Sequence, residues 1–224
     1  MCIRDSNQPI TREQAFAVLA RAFVLEAEDT DALNTFPDKG EVSSWAANAV
    51  AALVENGYVT GSNGKLNPKS QITRAEFATI AVRFFDLSYQ GEDLFPDIDG
   101  HWAQDYINQA ADAGIIEGYP DGTFGPQKQI TRAEAVTMVN RTLDRHPDPD
   151  HFLKDMLVWP DNLDTEAWYY ADMQEATNSH DYTWVTVSGD KVEKWTEKLE
   201  QRDWAALEHA WSTAHSAPGG EVTK

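Results

Sequence analysis

Three arginines stand where helix chemistry gives them no reason to be. The stretch Gln129-Ile130-Thr131-Arg132-Ala133-Glu134 recurs as Gln71-Ile72-Thr73-Arg74-Ala75-Glu76, and more loosely as Pro9-Ile10-Thr11-Arg12-Glu13-Gln14; the isoleucines lie 62 and 58 residues apart. Each copy reads as a helix start, with threonine as N-cap and Glu or Gln three residues later completing a capping box. Arg12, Arg74 and Arg132 then take the first helical position. A cation there faces the positive end of the helix dipole, at a cost of about a few tenths of a kcal/mol. A helix start beside a guanidinium fork suits a carboxylate or phosphate ligand. The competing use is an internal salt bridge to a nearby Asp, and ligand binding is placed ahead of it.

Other chemistry finds less support. The six histidines are scattered, and no nucleophile elbow or phosphate loop is present. With so many carboxylates, some pair could stand at glycosidase spacing by chance, so no catalytic residue is assigned. Asp97-Ile98-Asp99-Gly100 begins like a calcium loop, but Trp102 occupies the position where an EF-hand needs glycine. A polar turn before a helix explains it better. Cys2 is the only cysteine, which leaves no disulfide framework or thiolate metal site. No cofactor or metal is expected.

The 224 residues suffice for one or two domains with a sizeable core. With 18 Lys plus Arg against 37 Asp plus Glu, the formal charge is −19. That argues against nucleic acid and anionic membrane surfaces as partners. No apolar run approaches the ~20 residues of a membrane helix. The opening Met-Cys-Ile-Arg-Asp-Ser lacks the apolar centre of a signal peptide. Residues 1–6 read as foreign run-in, and the chain enters a repeat half-way, with its upstream part missing. The apolar face Phe16, Leu19 and Phe23 is then expected to lie poorly covered.

The elements that must position the arginines follow from periodicity. Helices are expected over 11–27, over an Ala-rich stretch after Trp45 with Val50, Leu53 and Val54 inward, and over 73–86. Gly57 reads as a helix stop, and Gly61-Ser62-Asn63-Gly64 as a turn. The pattern then repeats: Phe95-Pro96-Asp97 answers Phe36-Pro37-Asp38, Trp102 answers Trp45, and Gly114 answers Gly57. Such units cannot bury a core alone and must pack on one another. A third round departs: Trp159-Pro160-Asp161 and Trp168 fit, but His180 stands in the place of Gly114 and no further Thr-Arg-Ala-Glu follows. Arg145–Asp150 reads as a rigid linker. Tyr182–Val187 and Val192–Trp195 read as a hairpin around Ser188-Gly189-Asp190-Lys191. A helix over 196–211, with Trp204, Leu207 and Trp211 on one face, precedes a loose tail, 212–224.

Phe-Pro-Asp, then Trp, then Gly-Ile-Ile-Glu-Gly, then Gly-Thr-Phe-Gly-Pro, then Ile-Thr-Arg-Ala-Glu resembles the S-layer homology repeat of bacterial surface proteins. The resemblance covers roughly residues 7–146. It divides the chain into the C-terminal half of a first repeat (7–35), two full repeats (36–88 and 95–146), and a degenerate third-type repeat with an extension (159–211). It implies a mainly α fold, with tandem helical repeats packed as a pseudo-threefold spindle and a small hairpin-plus-helix extension. It also implies extracellular, non-enzymatic, non-covalent anchoring to a secondary cell-wall polysaccharide bearing pyruvylated sugars. Arg12, Arg74 and Arg132 would then read the ketal carboxylate, and Asp38 with Trp45 and Asp97 with Trp102 would face them. Gly61 and Gly118, the latter followed by Tyr119, would let backbone approach the sugar. The tryptophans suit sugar stacking and core burial equally. A protein-interaction scaffold, or an accessory module of a secreted glycoside hydrolase, is the alternative.

Overall fold

The structure, a computed structural model, describes residues 6–85, 87–203, 206, 207 and 210. The chain forms two compact units, one built on Thr11–Ser70 and the other on residues 6–10 with Gln71–Arg202. Among the described residues the regular structure is mainly helical, with one two-stranded antiparallel sheet near the C-terminal end.

In the first unit α1 (Arg12–Ala22) packs against α2 (Ala47–Glu55). Phe16, Leu19, Val50 and Leu53 are fully buried, each contributing roughly 1.5–3 kcal/mol. The partner of α1 is thus the helix that follows it. The expectation of a poorly covered face was wrong, because it placed that partner upstream; only Phe23 is left half-buried. Helix α1 is also shorter than the expected 11–27. Val24 takes φ +53°, with its N–H on the Arg21 carbonyl and the Leu25 N–H on the Ala20 carbonyl. This is the Schellman closure, and it ends the helix.

In the second unit α3 (Arg74–Val82) packs on α4 (Gln104–Asp112), and α5 (Arg132–Thr142) on α6 (Tyr170–Glu175), while α3 touches α5. Helix α3 stops short of the expected 86, with Arg83 as its C-cap. The same closure ends α2 at Gly57, α4 at Gly114 and α5 at Asp144, all with positive φ. The three capping boxes are present at Thr11, Thr73 and Thr131.

Three isoleucines of the second unit close a ring of backbone hydrogen bonds. The Ile10 N–H donates to Ile130 O (3.2 Å), Ile130 to Ile72 O (3.0 Å), and Ile72 to Ile10 O (3.2 Å). All three side chains are buried. The repeated Ile before each threonine cap therefore places one backbone donor and one acceptor on a local threefold arrangement.

Strands β1 (His180–Val187) and β2 (Asp190–Lys198) pair around the two-residue turn Ser188-Gly189, both residues at positive φ as a type I′ turn requires. The hairpin is longer than expected. Residues 196–198 belong to β2 rather than to a helix, because the cross-strand ladder continues to His180–Lys198. Trp204, Trp211 and the tail 212–224 lie outside the described residues. The expected linker is packed instead: Pro147 bridges to Glu193, and Pro149–His151 form a 3-10 turn.

Candidate functional site

The first three amides of each Thr-Arg helix are already taken. In α1 the Arg12 and Glu13 N–H groups donate to Ser70 O (2.8 Å) and Pro68 O (3.0 Å). In α3 the Arg74 and Ala75 N–H groups donate to Lys128 O (2.9 Å) and Pro126 O (3.2 Å). In α5 the Arg132 and Ala133 N–H groups donate to Gln8 O and Ser6 O. The threonine cap accepts the third. The helix ends are therefore not open anion sites, which corrects one half of the expectation.

The same carbonyl rows explain the arginines. Arg12 Nε donates to Leu66 O (2.7 Å), and Arg74 Nε to Phe124 O (2.9 Å). Each facing loop thus presents three carbonyl oxygens to one helix start. Their negative ends offset the positive end of the dipole and accept from the guanidinium. Both arginines are buried.

The aspartates clamp these loops. Asp38 accepts from the Leu66 and Asn67 N–H groups (3.0 and 2.7 Å), and Asp97 from Phe124 and Gly125 (2.9 and 2.8 Å). Burial works to raise the Asp38 pKa, but the two amide donors outweigh it and hold the carboxyl below its usual range. Asn67 and Gly125 both sit at positive φ, a backbone state glycine and asparagine tolerate best.

Gly61 and Gly118 serve these loops too. A Cβ on Gly61 would come within 2.7 Å of the Phe36 ring and Lys65 O. On Gly118 it would meet the Phe95 ring at 2.6 Å and Thr123 O at 2.8 Å. The close approach seen at each glycine is to the Phe of its Phe-Pro-Asp motif.

Around Arg74 the internal salt bridge exists, with a glutamate as partner. Nη1 pairs with Glu134 Oε1 at 2.8 Å, and Nη2 donates to Glu117 O at 3.1 Å. Glu134 also completes the capping box of α5 and accepts from Tyr119 Oη (2.9 Å). The Tyr119 ring lies 4.6 Å from the Arg74 guanidinium and 3.8 Å from Lys128 Nζ. Burial pushes the Tyr119 phenol up; Arg74 opposes this, the Glu134 hydrogen bond adds to it, and the result is about 12. The phenol stays a donor at any physiological pH.

Around Arg12 the lining differs. Glu13 accepts from Ser43 N and Oγ (3.0 and 3.1 Å) and pairs with Lys69 Nζ at 2.6 Å, while Lys69 also reaches Ser43 Oγ. Arg132 carries no hydrogen bond at its buried Nε among the described residues. Trp45 is half-buried, whereas Trp102 is 59% exposed, tilted against His101.

Sequence reasoning overlooked Glu134, read only as a cap, and Lys69 and Lys128. It also passed over a buried cluster of Arg145, Glu175, His180 and Glu193. Nothing in residue spacing brings those four together; they meet where the ends of α5 and α6 pack against both strands of the hairpin.

Residues 35–78 and 94–136 match the family model described as the S-layer homology domain. The chain is similar to a cellulosome-anchoring protein of Acetivibrio thermocellus, 36% identical over 202 residues, 85% of this chain and 43% of that protein. It is similar to a surface-layer 125 kDa protein of Lysinibacillus sphaericus, 35% identical over 141 residues, 62% of this chain and 12% of that one. An amylopullulanase of Thermoanaerobacterium thermosulfurigenes is 30% identical over 149 residues, 63% of this chain and 8% of the enzyme. The chain thus spans less than half the length of these relatives. Two matched stretches, each running from a Phe-Pro-Asp clamp to a Thr-Arg helix, place the chain in the S-layer homology domain family.

Proposed function

We propose that this chain anchors a bacterial surface protein, without a covalent bond, to the cell wall, outside the membrane. The observation that carries the reading is the pair of matched domains, supported by relatives named for cellulosome anchoring and surface layers. No described helix is long and apolar enough to cross a membrane.

The finer reading is a wall polysaccharide held through a carboxylate-bearing, pyruvylated sugar. Arg12, Arg74 and Arg132 supply the cationic side of such sites. Asp38 and Asp97, with Gly61 and Gly118, shape the loops opposite. Tyr119, Trp45 and exposed Trp102 offer rings for a sugar face, and Lys128 adds an exposed charge beside Tyr119. At Arg74 an incoming carboxylate would compete with Glu134 for the same guanidinium. The module itself performs no catalysis. The relative named amylopullulanase supports a companion reading, in which such a module is carried by an enzyme whose catalytic part lies elsewhere.

The test is co-sedimentation of purified protein with cell walls. Walls that retain their secondary polymer should pull the protein down, and walls stripped of it should leave it in solution. Equal binding to both, or to neither, ends the polymer reading. Inhibition by free pyruvylated sugar, but not by the unsubstituted sugar, would support the finer one.

A further inference from the structure

We propose that the β1–β2 hairpin is fastened to α6 and the end of α5 by a proton-operated latch whose closing piece is the imidazolium form of His180. Four segments of the second unit meet there. Arg145 follows α5, Glu175 ends α6, His180 opens β1 and Glu193 lies in β2. Glu175, Glu193 and the His180 side chain are each 7% exposed or less.

Arg145 grips Glu193 with both arms, Nε to Oε1 at 2.7 Å and Nη2 to Oε2 at 2.9 Å, and Nη2 also pairs with Glu175 Oε1. The His146 and Glu193 backbones exchange further bonds with this region: His146 N donates to Glu193 Oε1, and Glu193 N to His146 O. One guanidinium between two buried carboxylates leaves one negative charge over. Buried charge without a partner is costly.

His180 supplies the missing charge. Its Nδ1 lies 2.8 Å from Asn178 O. A carbonyl only accepts, so Nδ1 holds a proton in every state and Nε2 is the titrating atom. Nε2 stands 3.3 Å from Glu175 Oε2 and 3.8 Å from Glu193 Oε2. Glu175 Oε2 is buried and has no hydrogen-bond partner. A neutral Nε2 can accept from Arg145 Nη2 but leaves Glu175 Oε2 without a donor; a protonated one gives Glu175 its donor. The ring also stacks on Trp195 at 3.8 Å and 18°, an arrangement that favours a cation. Arg145 Nη2, 3.1 Å from Nε2, opposes it: the guanidinium can only donate there, so protonation exchanges that hydrogen bond for the one to Glu175. Tyr182 is a further titratable neighbour, with its ring 6.2 Å away, and Lys198, the cross-strand partner of His180, is paired with Asp155. The 3-10 turn before Phe152, which packs on Trp195, keeps its own His151–Asp148 pair to itself.

Glu175, His180 and Glu193 approach as closely as metal ligands do, within 4.8 Å of one another. The space among them is filled by Arg145 Nη2, so a dication there would meet a guanidinium. The cation of this cluster is built in.

Burial alone would lower the His180 pKa; the hydrogen bonds to Glu175 and Glu193 and their charge outweigh it and lift it to about 9. Burial works to raise Glu193, but bonds from His180 and Arg145 bring it down to about 2. The signs fix the window. The histidine contribution is complete below its unfolded value of 6.5 and is lost as pH rises through about 9. The Glu193 contribution is complete above 4.5 and is lost as pH falls through about 2. The latch is therefore firmest between the two unfolded values and opens on the alkaline side.

The test uses the full chain. Histidine ring resonances are titrated by NMR, and amide exchange in β1 and β2 is compared below pH 6.5 and above about pH 9, corrected for the intrinsic rate. One ring should titrate near 9, and hairpin protection should fall by about tenfold or more across that change. Protection in α3 should hold. His180→Gln retains a donor that does not titrate, so its hairpin should exchange alike at both pH values. A His180 ring that titrates near 6.5, or unchanged protection in the wild type, overturns the latch. So does a pH effect that survives in His180→Gln. If that variant fails to fold, the two wild-type measurements decide alone.

Discussion

In the first unit Glu13 follows Arg12; in the second Ala75 follows Arg74. The frames around them match. Each has an arginine Nε on a loop carbonyl, two further carbonyls on the helix start, an aspartate clamping two amides, and a glycine under a phenylalanine ring. The linings diverge. Glu13 draws Ser43 and Lys69 into a polar knot, whereas Arg74 reaches Glu134 and lies under Tyr119, with Lys128 on the same ring. The repeated residues hold the loops, and the residues between them decide what each surface offers. A search for ligand readers confined to repeated positions therefore finds braces first.

Arg74 tests that distinction most severely. Arg74→Ala would strip Glu134 of its cation while its side chain is only 12% exposed, and would release the Phe124 and Glu117 carbonyls. We expect a loss of about 4 kcal/mol in the second unit, as when one partner of a buried pair is removed. Chemical denaturation would measure it. A loss below about 1 kcal/mol would mean that the ion pair contributes little and would return the arginine to a purely ligand-facing role. Arg74→Lys keeps the charge without the planar fork and should fall between the two.

The paired glycines come next. At Gly61 an alanine meets both the Phe36 ring and a φ of +76°. At Gly118 it meets the Phe95 ring and Thr123 O without the positive φ. Gly61→Ala should cost about 3 kcal/mol and Gly118→Ala about 2, the difference being the left-handed penalty. Equal losses measured by denaturation would show that ring crowding outweighs backbone conformation at both.

Much of this frame was legible in the sequence. Thr followed by Glu or Gln at the third position is a local signal, and all three caps form. Phe, Pro and Asp recur with Gly and Phe at fixed distances, and they meet as clamps. The failures share a cause. Periodicity shows that α1 has an apolar face but not which helix covers it. The first-turn amides read as free because their acceptors lie more than 50 residues away, at Pro68, Ser70, Pro126 and Lys128. The four-residue cluster at Arg145 depends on the packing of α5, α6 and the hairpin on one another, which no spacing rule supplied.

Glu13 tests the polar side of the comparison with a smaller effect. Glu13→Ala makes the first unit resemble the second at this position. It leaves the Ser43 amide without its acceptor, although Lys69 is half-exposed and can turn to water. A loss of about 1–2 kcal/mol is expected. Hydrogen exchange at the Ser43 amide should rise, and α2 should keep its protection. No change at that amide would show that the carboxylate does not hold the loop.

The smallest effect runs the other way. Helix α2 ends on Gly57 and α4 on Gly114, but α1 ends in the same closure on Val24, a β-branched residue at φ +53°. Its side chain is 71% exposed, so little burial offsets the strain. The left-handed state costs a non-glycine residue about 1–2 kcal/mol, while glycine adds some entropy to the unfolded chain. The balance for Val24→Gly is a gain of about 1 kcal/mol. At this chain length that corresponds to a rise in Tm of roughly 2–4 °C. Asp144→Gly, at the matching place after α5, should gain less, because aspartate tolerates this conformation better than valine. A melt in which Val24→Gly is no steadier than the parent, or gains less than Asp144→Gly, would show that the closure of α1 is held by something other than the conformation it shares with its glycine-ended counterparts.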